Sequence, residues 1–117
     1  MTKELSKRMV GVLSQQSFII SWMNLGDGDA GEIYEAYASS QRSIQFFGTF
    51  DEGSIFLEGS NDGLNWKTLT DPQGNPILMI SPGIEMVTEL TVFLRPRVEG
   101  GGKSTNLSAF LFVKESL

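Results

Sequence analysis

The chain has 117 residues, with 9 Lys plus Arg against 14 Asp plus Glu and 40% hydrophobic residues. One domain follows, because two cores in this length would each sit near the lower limit of stability. A formal charge of -5 repels phosphate backbones, and the absence of cysteine and histidine removes disulfides, thiolate or imidazole metal sites, and Cys or His catalysis. No nucleic-acid partner and no cofactor are therefore expected. No stretch approaches the ~18 apolar residues of a membrane-spanning helix. The N-terminal cations Lys3, Lys7 and Arg8 are followed by Gln15, Gln16 and Ser17, which do not form a signal-peptide core. The expectation is a soluble chain made without export and without a membrane partner.

In chain order, Leu5, Met9, Val12 and Leu13 stand at near-helical spacing. Residues 1–16 therefore read either as a short helix or as an extended arm that orders on a partner. From Phe18 the period changes to that of strands, and residues 17–117 read as one β domain. FIISW (18–22) is aromatic and β-branched, and it ends at the turn-forming LGDGDAG (25–31). IYEAYA (33–38) is an equivocal strand because of Glu35 and its two alanines. RSIQFFGTF (42–50) is stronger: Ile44 and Phe46 share one face, Gln45 and Phe47 the other, and Gly48 permits a bulge.

SIFLEGS (54–60) places Ile55 and Leu57 opposite Phe56 and Glu58. NDGLN (61–65) has hairpin chemistry, WKTLT (66–70) is the return strand, and DPQGNP (71–76) is a second turn. ILMIS (77–81), ELTVFLRPRV (89–98) and NLSAFLFVK (106–114) complete the series. Pro96 lies inside one of these runs, which predicts an edge strand or a strand end there. Arg95, Arg97, Glu58 and Lys67 are expected to guard exposed edges with charge. Short strands between Gly/Pro/Asn/Asp turns predict an all-β fold, an antiparallel β-sandwich of jelly-roll or immunoglobulin-like type.

Four motifs bear on chemistry. EGGGKST (99–105) ends like a phosphate-binding loop, but Arg97 stands where its first glycine is needed and a strand pattern follows. DGDAGE (27–32) gathers Asp27, Asp29 and Glu32, yet position 38 is Ala38 where a calcium loop needs glutamate. Asp51/Glu52 and Asp62/Asp71 lie in turns, where water keeps carboxylates ordinary and no cleft is implied. Trp22 and Trp66 read as core aromatics beside residues such as Leu57 and Leu69, or as platforms for a sugar ring. Lys3, Lys7 and Arg8 form the one cluster of cations on an acidic chain, and are candidates for a docking arm.

The stretches WMNLGDGDAG (22–31), RSIQFFGTFDEGSIFLEGSNDGLNW (42–66), LTDPQGNPI (69–77) and FLRPRVEGGGKSTNLSAFLFV (93–113) resemble, in this order, a family of small β-sandwich proteins encoded among tailed-bacteriophage structural genes. The resemblance implies a non-enzymatic virion protein with no catalytic residues. Its specific form would be a capsid decoration (cement) protein on the outer shell surface, made in the host cytoplasm. The partner implied is the major capsid protein, alongside a homo-oligomer of the chain itself. Lys3, Lys7 and Arg8 are then the candidate shell contacts. A tail-associated role needs the same inert sandwich. SNDGxNW is also similar to an element of discoidin-like carbohydrate-binding modules, in which Trp22 or Trp66 would stack on the glycan.

Overall fold

The computed structural model describes residues 1–11, 16–37 and 39–115, and all regular structure in them is β. The strands are β1 (Thr2–Lys3), β2 (Leu5–Val10), β3 (Ser17–Leu25), β4 (Ala30–Gly31), β5 (Tyr34–Glu35) and β6 (Ser39–Thr49). They continue with β7 (Ser54–Ser60), β8 (Lys67–Thr68), β9 (Leu78–Met79), β10 (Gly83–Met86), β11 (Phe93–Glu99) and β12 (Asn106–Glu115). One sheet runs β10-β6-β12-β3-β2; the other runs β1-β4-β11-β7-β8, with β5 also on β11 and β9 also on β7. From β3 onward the chain passes repeatedly between layers, so that β3-β12-β6-β10 faces the row built from β4/β5, β11, β7 and β8/β9. This is the jelly-roll arrangement of interleaved Greek keys, and it decides between the two sandwich types.

Period-two alternation builds the core. Ile20, Trp22, Ile44, Phe46, Leu107, Ala109, Leu111 and Val113 point inward from the five-stranded sheet. Ile55, Leu57, Leu94 and Val98 meet them from the other layer. IYEAYA contributes only Tyr34–Glu35 as strand, and Ala38 lies outside the described residues.

The N-terminal segment corrects the helical reading. Leu5 through Val10 pair antiparallel with Trp22 through Ser17, and Leu5 packs on the core. Ten residues make a marginal helix in water, whereas the open edge of β3 supplies a backbone partner for each strand residue. The segment is therefore an integral edge strand rather than an arm separate from the domain. Val12 and Leu13 lie outside the described residues.

Two further expectations change in detail. The bulge is not at Gly48, which pairs in register with Leu107. It lies in β3, where three steps from Trp22 to Leu25 face two from Ala109 to Leu107, and Asn24 takes φ 59°. Gly48 is needed instead because the Asn106 carbonyl occupies the space where a side chain would stand. Pro96 does not mark an edge, since β11 is central and pairs with β7 through Leu57. The neighbours of β11 on its other side are two short strands: Leu94 meets Tyr34 of β5 and Arg97 meets Ala30 of β4. The missing N–H of Pro96 falls in the gap between them, so no ladder bond is lost.

Gly31 closes that gap. A Cβ there would lie 2.5 Å from Trp22 Cδ1 and 2.6 Å from Pro96 Cδ. Gly31→Ala should therefore destabilise the fold by about 1–3 kcal/mol, the usual cost of overpacking, read as a lowered urea midpoint at unchanged slope.

Arg42 shares the inward face of β6 with Ile44 and Phe46 and is 2% exposed. Its guanidinium donates to Ser39 Oγ at 2.6 Å, to the Ala36 carbonyl at 3.1 Å and to the Thr91 carbonyl at 2.6 Å. Burial lowers its pKa to about 10, so it remains a cation at neutral pH. The fork ties Ala36 and Ser39 to Glu89 and Thr91. Arg42→Lys keeps the charge but loses the fork, and should cost about 2–4 kcal/mol in the same denaturation measurement.

Candidate functional site

The three N-terminal cations do not form one patch. Lys3 Nζ lies 3.8 Å from Asp29 Oδ2, and the terminal amine lies 3.5 Å from Asp29 Oδ1. Lys7 Nζ sits 4.2 Å over the Phe18 ring and 5.3 Å from that of Tyr34, and it pairs with Glu115 at 3.4 Å. The Tyr34 hydroxyl donates to the same Glu115 oxygen at 3.2 Å. Burial first, and then the glutamate charge, push the Tyr34 phenol above its ordinary range. Arg8 alternates to the opposite face of β2, is exposed, and makes no ion pair among the described residues. Of the three, Arg8 is the one turned outward.

One end of the sandwich gathers the N-terminus and the glycine-rich loops. Gly101 N–H donates to Asp27 Oδ1 at 3.3 Å, and Ser104 N–H donates to Asp51 Oδ2 at 2.9 Å. Gly102 N–H donates to the Asp51 carbonyl at 3.0 Å. The Gly102-Lys103-Ser104 backbone therefore already holds an anion, the carboxylate of Asp51, and β12 follows it instead of a helix. Asp51 and Glu52 both have positive φ, 45° and 67°, as the two central residues of a tight turn closed by Gly53 N–H on the Phe50 carbonyl. Asp29 accepts from Gly26 N–H at 2.8 Å in addition to its two cations. No group of three or more acidic side chains among the described residues is placed to hold a metal ion.

The outer face of the seven-stranded sheet carries a row of charge over aromatic rings. Glu58 is buried and accepts from Arg95 Nε at 2.6 Å, with Arg97 at 4.0 Å. Arg95 stacks 4.1 Å from the Trp66 ring, and Arg97 lies 5.9 Å from that of Phe56. Arg95, Arg97 and Glu58 thus stand on the central strands β11 and β7, not on edges as expected. They cover rings that would otherwise face water. Trp66 is half-buried beneath Arg95, on the side of the sheet opposite Leu57, so it belongs neither to the core nor to a bare platform. Trp22 is fully buried, and its indole N–H donates to the Glu32 carbonyl at 2.9 Å; a stacking role is excluded for it.

The turn carboxylates act on backbone. Asp62 accepts from the N–H groups of Leu64 and Asn65 at 2.8 Å, from the Asn65 side chain at 2.7 Å and from Ser60 Oγ at 2.9 Å. These bonds, led by the Asn65 N–H, hold its pKa well below the usual carboxylate range. Asp71 accepts from Gln73 and Asn75 N–H at 3.0 Å in the second turn. A group with a depressed folded-state pKa stabilises above its unfolded value and loses that contribution as pH falls through the folded one. Asp62→Asn should therefore be less stable than the parent chain at neutral pH, with the gap closing only in strongly acidic buffer, as measured by urea denaturation across pH.

Two features were missed in the sequence. Arg42 had a readable signal, its place two residues before Ile44 on the inward face. β10, at SPGIEM, is too short and too close to Pro82 to announce itself. It lies beside a cleft of about 380 Å³ lined by Leu78, Met79, Ile80 and Ile84 with Glu85.

No family model matches the sequence, and no curated protein does. Among solved structures, the SPBc2 prophage-derived protein YomS superposes with a TM-score of 0.58 at 9% identity, covering 88% of this chain and 98% of that one. The chain shares its fold with a prophage-derived protein over nearly the whole length of both. A Schizosaccharomyces pombe Cnp3 cupin domain gives a TM-score of 0.42 at 8% identity over 96% of this chain and 60% of that one. Peruvianin-I, a cysteine peptidase from Thevetia peruviana latex, gives 0.44 at 11% identity over 86% and 51%.

Proposed function

We propose that this protein is a structural component of a tailed-phage particle, and specifically a decoration protein that binds the outside of the assembled shell. The observation that carries the reading is the end-to-end likeness of fold to YomS, a prophage-derived protein. The sequence resemblance to small phage sandwich proteins points the same way, and the jelly roll is a fold that virion proteins use. The loops suit such a role, because Asp27, Asp51 and Asp29 tie them to one another and to the N-terminus, giving a preformed surface. A preformed surface loses little entropy on docking.

The edge-strand course of residues 2–10 moves the proposed contact from a free arm to this loop end, where Lys103 is an outward cation. Binding only to assembled subunits would stabilise the shell by mass action. The test adds purified protein to shells that lack it. Saturable binding on the order of hundreds of copies per particle is expected, following shell symmetry, together with a raised shell melting temperature. Lys103→Glu should weaken binding several-fold while leaving the fold unchanged, as charge reversal at a rim does. Recovery of the native protein in tails, or no binding to shells, would overturn the proposal.

A further inference from the structure

The outer face of the five-stranded sheet differs in kind from the charged face opposite. Its register aligns Arg8, Ile19, Phe112, Ser43 and Met86 in one row across five strands. The next row runs Ser6, Ser21, Phe110, Gln45 and Ile84. Phe47 meets Phe110 edge-on, with ring centroids 5.2 Å apart. Ile84 is 60% exposed and Met86 59%. Charge on this face, among the described residues of the five strands, is confined to Arg8 and Lys114 near one end.

We infer that this face is a self-association surface, which a second copy of the chain covers in a twofold, sheet-on-sheet dimer. Three observations select that occupant. A strand spacing of ~4.8 Å and a rise of ~3.4 Å per residue make the face about 600 Å². Two such faces bury about 1,200 Å², the lower end of what specific, stable interfaces use. Its composition is that of an interface core, aromatic and Met-bearing and nearly free of charge. Copies of a chain with a net charge of -5 repel one another, and an almost uncharged face is where they meet at least electrostatic cost. This inference does not rest on the virion reading, since it concerns the purified chain alone.

Sedimentation equilibrium of the full chain is expected to give twice the 12.9 kDa monomer mass. The double variant Ile84→Glu/Met86→Glu places four carboxylates in the interface and should raise the dimer dissociation constant at least about a hundredfold. Gln45→Arg, at an exposed polar position in the centre of the face, is the second variant and should also yield monomer; circular dichroism reports that either keeps the β fold. A parent chain that sediments as a monomer overturns the inference, as does a dimer that both folded variants leave intact. A monomer that uses this face only against a shell overturns it too.

Discussion

The close approach of β4 to the core is the constraint on which the rest depends. Trp22 fills the space between the layers, donates its indole N–H to the Glu32 carbonyl, and leaves no room for a side chain at Gly31. With Gly31 seated there, β4 brings Asp29 beside the N-terminal amine and Lys3, and the parallel pairing of β1 follows. Gly28 and Asp29 then exchange backbone bonds with Val98, which fixes the start of the glycine-rich loop. The loop end is ordered through one tryptophan and one glycine.

Arg42 performs the corresponding task at the other end. A buried guanidinium with no carboxylate partner among the described residues is tolerated because hydroxyl and carbonyl oxygens take its donors. No buried side-chain nitrogen or oxygen among the described residues lacks a hydrogen-bond partner. Polar groups inside this sandwich hold segments together.

The two outer faces divide the surface by chemistry. One carries arginines stacked on Trp66 and Phe56 around a buried glutamate, which satisfies the aromatic area within the chain itself. The other leaves Phe110, Ile84 and Met86 away from its two cations, Arg8 and Lys114. In the proposed readings, the face offered to a second copy and the loop end offered to the shell are separate surfaces.

The alternation in residues 42–50 and 106–114 and the turn residues of 61–65 and 71–76 determined the sandwich from the sequence alone, because a strand with one buried face writes a period of two into its residues. The same period, carried back two residues from Ile44, gives the inward place of Arg42, which the reading of residues 42–50 passed over. What the tertiary structure decided was set by partners distant along the chain. The N-terminal segment became a strand because β3 offered an open edge, and Pro96 became acceptable at the centre of a sheet because β4 and β5 leave a gap opposite it. Lys3 and Lys7 lost their availability to Asp29 and Glu115 for the same reason. Local sequence encodes periodicity and turn chemistry, but it does not encode which distant backbone or carboxylate arrives to complete a contact.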